Sequence, residues 1–138
     1  MRKFTTGSTR DTDKGKYDFE GFLSPLFIQE FGRYMHKHRK QADGTLRASD
    51  NWQKGFGKDV PMKSLWRHFH QLWSIHRGYF VFEERHEGEV LTHVLKYLPI
   101  TPKPTWRRVT VEDSIMGCVF NLQAYYNELG DYPLTTGN

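Results

Sequence analysis

Apolar and polar positions follow a helical period in three stretches of this chain and lose any period between them. The cleanest stretch is Val111–Leu129, VEDSIMGCVFNLQAYYNEL. At about 100° per residue, Val111, Ile115, Cys118, Val119, Leu122, Tyr126 and Leu129 share one face. Nearly opposite lie Asp113, Gly117, Phe120, Asn121, Ala124 and Glu128, a stripe of small, polar and acidic residues. Thr110 and Asp113 have the spacing of a capping box, and Gly130 stands where a helix C-terminus takes a glycine. The pattern predicts one helix with a face for the core and a second face that another element must approach.

Two further helices are predicted upstream. Ser24-Pro25 supplies a serine cap with proline at the first helical position, and the helix then runs to about His38 with Phe27, Phe31, Tyr34, Met35 and His38 on its apolar side. Asp59-Val60-Pro61 opens a longer one that stops at Gly78. Its Met62, Leu65, Trp66, Phe69, Leu72 and Trp73 follow i, i+3, i+4, i+7 spacing, and the pattern assigns them to the core. Lys63, Arg67, His70, Ser74 and Arg77 make the opposite, basic face.

Elsewhere the pattern breaks down. Residues 1–20 read as an extended polar arm of alternating charge around Gly7 and Gly15. Gln41–Gly57 has no period and several turn residues, a long loop of the kind that often carries function. In Tyr79–Arg108, YFVF suggests a short strand or an extended plug, and GEVLTHVLKYL a short helix. Pro99, Pro102 and Pro104 then enforce an irregular path, so residues 79–108 read as an insertion. Glu83, Glu84, Glu87 and Glu89 read as a solvated charge run. The expected architecture is therefore a single domain over residues 1–138, a small helical bundle of about four helices with little or no strand.

Composition narrows the chemistry. The 138 residues are 37% hydrophobic and 15% aromatic, with a mean hydropathy of −0.73. No run approaches the roughly 18 apolar residues of a membrane span, and the charged start, MRKFTTGSTRDTDKGK, lacks the apolar stretch of a signal peptide. Both point to the cytoplasm and away from membranes. The formal charge of +4 admits an anionic ligand. Its 16 acidic residues are interleaved with 20 basic ones, which argues against a duplex nucleic acid partner. Cys118, the lone cysteine, forms no disulfide within the chain and reads as a small core hydrophobe.

Three segments taken together resemble a known family: RDTDKGKYDFEGFLSP, then SDNWQKG followed by MKSLWRHFHQLWSIHRG, then EDSIMGCVFNLQAYYNEL. In order and spacing they resemble the phage-encoded dATP/dGTP diphosphohydrolase N-terminal-domain family, related to the MazG-type all-α nucleoside triphosphate pyrophosphohydrolases. The resemblance spans most of the chain outside residues 79–108. It implies an all-α fold and Mg²⁺- (or Mn²⁺-) dependent hydrolysis of a purine deoxynucleoside triphosphate to monophosphate and pyrophosphate, remodelling a nucleotide pool in the infected host's cytoplasm. Such chemistry needs carboxylates to hold the bridging cations and basic groups to hold the remaining phosphate oxygens.

Each role then has candidates. Glu30, Asp50, Glu112 and Asp113 are the expected metal carboxylates, with Glu30, Asp50 and Asp113 the catalytic set. Lys16, Lys54 and Arg67 are expected on phosphate, Asn51 and Asn121 on sugar or base, and Trp52 stacked on the base. The chain departs from the ExxE and ExxD pairs of MazG-type enzymes. Glu30 has Arg33 and Tyr34 at i+3 and i+4, and the adjacent Glu112 and Asp113 diverge by about 100°. Either Asp50 completes the site in another geometry or hydrolysis is weakened or lost. A non-hydrolytic nucleotide sensor or sponge is the alternative, and a scaffold or interaction protein is a third class. Gly117 and Ala124 permit close helix approach, so a homodimer or higher homo-oligomer is expected.

Overall fold

The computed structural model describes residues 2–3, 9–10, 15–41, 43–53 and 55–130. They divide into two units, one running up to Arg33 and the other beginning at Tyr34. In the first, β1 (Arg2–Lys3) pairs antiparallel with β2 (Thr9–Arg10), and a single turn of helix, α1 (Phe19–Phe22), follows. Asp18 caps α1 by accepting the Gly21 amide at 2.7 Å. Helix α2 (Pro25–Lys37) starts where Ser24-Pro25 predicts, with the Ser24 hydroxyl accepting the Phe27 amide at 3.2 Å. Its last turn, from Tyr34, belongs to the second unit.

The second unit joins two long helices to a sheet that the hydrophobic pattern does not predict. Helix α3 is Asp59–His76 and α4 is Val111–Glu128, both close to their expected bounds. Between them lie β3 (Phe80–His86), β4 (Glu89–Leu95) and β5 (Trp106–Arg108), all antiparallel, in the order β4-β3-β5. The fold is therefore mixed α/β and not the expected all-α bundle with an irregular insertion over residues 79–108. The segment expected as a short helix, GEVLTHVLKYL, is mostly strand β4. Its physical reason is a period of two: β-branched Val90, Thr92 and Val94 alternate with Leu91, His93 and Leu95. The hairpin closes through Glu87 (φ 49°) and Gly88 (φ 83°), both left-handed as a two-residue type I′ turn requires.

The core of this unit is small. Val81 and Phe82 of β3, Val109 just after β5, and Met116 and Ala124 of α4 are buried, each side chain larger than alanine contributing about 1.5–3 kcal/mol. Val109 extends the sheet by donating its amide to the Val81 carbonyl at 2.9 Å.

The helices pack in the opposite sense to the one their amphipathic patterns predict. Helices α3 and α4 meet through Pro61, Ser64, His68, Gln71 and Ser74 on one side and Asp113, Ser114, Gly117, Asn121 and Ala124 on the other. Half of the stripe expected as core is exposed, Trp66 at 64%, Trp73 at 56% and Phe69 at about half, while Met62, Leu65 and Leu72 are part-buried. On α4 the apolar face likewise looks outward at Val111, Leu122 and Tyr126, while its polar stripe is what α3 approaches.

Candidate functional site

Asp113 sits in the first turn of α4 and serves as its N3 residue. Thr110 accepts the Asp113 amide at 3.0 Å, and the Asp113 carboxylate in return accepts the Thr110 amide at 3.0 Å. The same carboxylate accepts the Tyr34 hydroxyl at 3.0 Å and Nη1 of Arg107 at 2.9 Å. Both of its oxygens are engaged.

Arg107 carries the network to the sheet. It lies directly across from Glu83 in the β3–β5 register, and its Nη2 donates to Glu83 Oε2 at 3.0 Å. Glu83 is only 4% exposed, so the charge run placed in solvent by the sequence contains the most buried carboxylate of the site. Its other oxygen accepts Gln71 Nε2 at 2.8 Å, and Arg67 Nε stands 4.0 Å from it. Gln71 also reaches Thr92, Glu83's partner on β4, at 3.2 Å. Two guanidiniums therefore flank one buried carboxylate, and Arg107 bridges that carboxylate to a second. Arg107 keeps about half its side-chain surface (53%) in solvent and Arg67 about a third (32%).

The electrostatics follow from this arrangement. Burial alone would raise the Glu83 carboxyl, but hydrogen bonds from Gln71 and Arg107 and the two guanidinium charges outweigh it and hold it below its ordinary range. Asp113 shows the same balance, with burial overcome by the Thr110 amide and Arg107. Tyr34 is pushed well up, first by burial and then by the Asp113 charge and hydrogen bond. His68, packed against Gly117 with its Nε2 at 3.3 Å from Arg67 Nη2, is pushed down by burial and by the Arg67 charge.

An acid profile follows. His68 binds its proton more weakly folded than unfolded, so its contribution to stability is complete above about pH 6.5, the unfolded value, and declines as the pH falls below it. Glu83 and Asp113, also depressed, contribute fully above their ordinary values of 4.5 and 3.8 and lose that contribution as the pH falls through their lower folded values. Urea midpoints measured from pH 7.5 to 3 should fall in two stages, and His68→Asn should shrink the first, leaving the part due to His38, which burial also pushes down. A flat profile from pH 7.5 to 5 in the parent protein would contradict the placement of His68.

The residues expected at the site distribute unevenly. Asp113 and Asn121 lie about two turns apart on the side of α4 that α3 approaches, and Arg67 stands on α3 beside Glu83. Asn121 is buried, donating to the Gly117 carbonyl at 2.7 Å and to Ser64 Oγ at 3.2 Å, so it pins the helices together and does not face a ligand. Glu112 is exposed beside Asp113, and Asp50 is exposed in a turn. Asn51 and Trp52 form a 3-10 turn (Asn51–Gln53) beside α4. Glu30 and Lys16 belong to the first unit, where Glu30 pairs with Arg33 at 3.3 Å. Lys54 lies outside the described residues. Just beyond it, Gly55 (φ 82°) and Gly57 (φ 74°) turn the chain so that the Phe56 and Gly57 amides donate to Glu128 at 2.7 and 3.2 Å.

The carboxylates expected to bind metal do not fit a resident Mg²⁺ as they stand. Asp113 is saturated by three donors, Glu112 and Asp113 diverge, and among the described residues no three His, Cys, Asp or Glu side chains are grouped to hold an ion. Sequence reasoning missed Glu83, Arg107, Gln71 and Tyr34. Once β3 and β5 are known, the Glu83–Arg107 pairing follows from register, but no local motif announces it. Comparison of the chain with protein-family models, curated proteins and solved structures found no match.

Proposed function

We propose that this chain is a nucleotide-binding module that holds the phosphates of a purine deoxynucleoside triphosphate through Arg67 and Arg107. The observation that carries this reading is the pair of guanidiniums beside buried Glu83, Arg107 hydrogen-bonded to it at 3.0 Å and Arg67 with its Nε 4.0 Å away, both side chains part-exposed. Carboxylates that orient arginine in this way reduce its rotational freedom without using all five N–H groups, and planar donors of this kind suit phosphate oxygens. The base and sugar specificity come from the family resemblance of the three segments. Hydrolysis to monophosphate and pyrophosphate is the second reading and rests on the family resemblance, since Glu83 and Asp113 are both taken up by hydrogen bonds within the chain.

The module works as a homo-oligomer, because the outward faces of α3 and α4 leave Trp66, Phe69, Trp73, Leu122 and Tyr126 to be covered. Its nucleotide pool places it in the cytoplasm, and no described helix is long and apolar enough to cross a membrane.

Calorimetric titration with dATP, dGTP and dTTP, with and without Mg²⁺, tests the reading. Purine nucleotides should bind with Kd on the order of 1–100 μM. Arg67→Gln should weaken that binding roughly tenfold while the fold persists, since Glu83 keeps Arg107 and Gln71. Pyrophosphate release in the presence of Mg²⁺ would favour the second reading. Failure of every nucleotide to bind would sink both.

A further inference from the structure

Of the two arginines beside Glu83, Arg107 is tied down by two carboxylates, whereas Arg67 is held mainly by a histidine. Arg67 Nε lies 4.0 Å from Glu83, beyond hydrogen-bond reach, and is buried without a partner. Among the described residues, the one hydrogen bond of its side chain runs from Nη2 to His68 Nε2 at 3.3 Å. A guanidinium only donates, so Nε2 must accept and cannot itself carry a proton. The contact thereby assigns the proton of the neutral ring to Nδ1, which is buried and has no hydrogen-bond partner.

A second proton would have to go on Nε2, setting N–H against N–H and cation against cation across that 3.3 Å. The surroundings do not absorb the added charge. Burial, and then the Arg67 charge, already push the ring toward its neutral form. Glu83 on β3 and Asp113 on α4 attract a charged ring, but Arg67 on α3 and Arg107 on β5 repel it, two groups of each sign. Both carboxylates are also taken up by hydrogen bonds from Gln71, Arg107 and Tyr34. One partner therefore has to move. The ring is wedged against α4, where a methyl group on Gly117 would stand 2.6 Å from three of its atoms. Arg67 is the freer of the two, with about a third of its side chain (32%) already in solvent.

We propose that neutral His68 positions Arg67 for phosphate, and that protonation of the ring frees the guanidinium, loosening the anion site on acidification while Arg107 stays in place. His68 is a positioning residue, acting through Arg67 without touching a ligand. The inference rests on the phosphate-binding reading for its consequence, whereas the hold of His68 on Arg67 is tested with no ligand present.

The test follows the full ¹⁵N-labelled chain by NMR from pH 7.5 to 5.5, with His68→Gln and Arg67→Gln variants identifying the signals. At pH 7.5 His68 should show a protonated Nδ1 and a bare Nε2. The buried Arg67 Nε–H exchanges slowly with water while the guanidinium is held, so its signal should fade as His68 titrates. The signal should persist in His68→Gln, whose amide oxygen offers an acceptor at about the reach of Nε2 and takes no proton. Affinities for dATP and tripolyphosphate are measured at both ends of the range. These anions gain protons of their own there, so the comparison between chains decides. The parent should weaken about fivefold more than His68→Gln, the worth of one hydrogen bond. His68→Asn, whose shorter amide does not reach Arg67, should already bind weakly at pH 7.5. A protonated Nε2 at pH 7.5, an Arg67 signal indifferent to pH, or equal losses in the parent and His68→Gln would each overturn the proposal. If neither anion binds at any pH, the phosphate-binding reading falls with its consequence here, and the His68 and Arg67 signals still decide whether one holds the other.

Discussion

Replacing Arg107 with methionine should destabilise the chain by about 3 kcal/mol, read as a shift in the urea midpoint at pH 7.5 with unchanged slope. The magnitude follows from what the guanidinium leaves behind. Glu83 is almost wholly buried and loses its 3.0 Å charged partner, and Asp113 loses its 2.9 Å one. Breaking a fully buried pair costs about 3–5 kcal/mol. Here Arg107 is half solvated, Glu83 retains Gln71, and Asp113 retains Tyr34 and Thr110, which puts the cost at the low end. The effect has a pH signature. Without Arg107 both carboxyls bind protons more readily in the folded state, so acidification costs the variant less than the parent and the two curves converge below about pH 4.5. Arg107→Lys keeps the charge but cannot bridge two carboxylates with planar donors, and should recover only part of the loss. A loss below about 1 kcal/mol for Arg107→Met would show that solvent reaches Glu83 after all.

How much of this was legible in the sequence differs from element to element. Helices α2 and α4 announce their starts through the Ser24 cap and the Thr110–Asp113 box, because capping is a local interaction, and α3 through Pro61 in its first turn, where a missing amide costs nothing. The sheet was hidden by composition. Four glutamates between Phe82 and Val90 look solvated, yet Glu83 is neutralised by Arg107, a residue far along the chain that only strand register brings opposite it. The faces of α3 and α4 were legible as faces but not as inside or outside. Periodicity separates Trp66 and Trp73 from Ser64 and Gln71, but it carries no information on which set its own chain will cover. The candidate site fared likewise. Asp113 and Arg67 stand in the network, whereas its hub, Glu83, depends on pairings between elements that no single segment contains.

Gly117 carries the second large effect, and its sign depends on a single neighbour. A methyl group at this position would lie 2.6 Å from three atoms of the His68 ring, a distance that real side chains do not tolerate. The ring has little room to yield, since it is packed into the α3–α4 seam with Nε2 beside Arg67 and Nδ1 buried. Gly117→Ala should therefore cost about 2 kcal/mol through overpacking, despite the roughly 1 kcal/mol that alanine gains over glycine in a helix interior. Removing the obstacle should reverse the outcome. In a His68→Ala background, where the space beside α4 is open, the same Gly117→Ala substitution should stabilise by about 0.5–1 kcal/mol from helix propensity alone. The double-mutant cycle would then show a coupling of about 2–3 kcal/mol, large for one pair and diagnostic of direct contact. Equal costs in both backgrounds would place His68 elsewhere, and with it the close approach of α3 and α4 that holds Arg67 and Gln71 against Glu83.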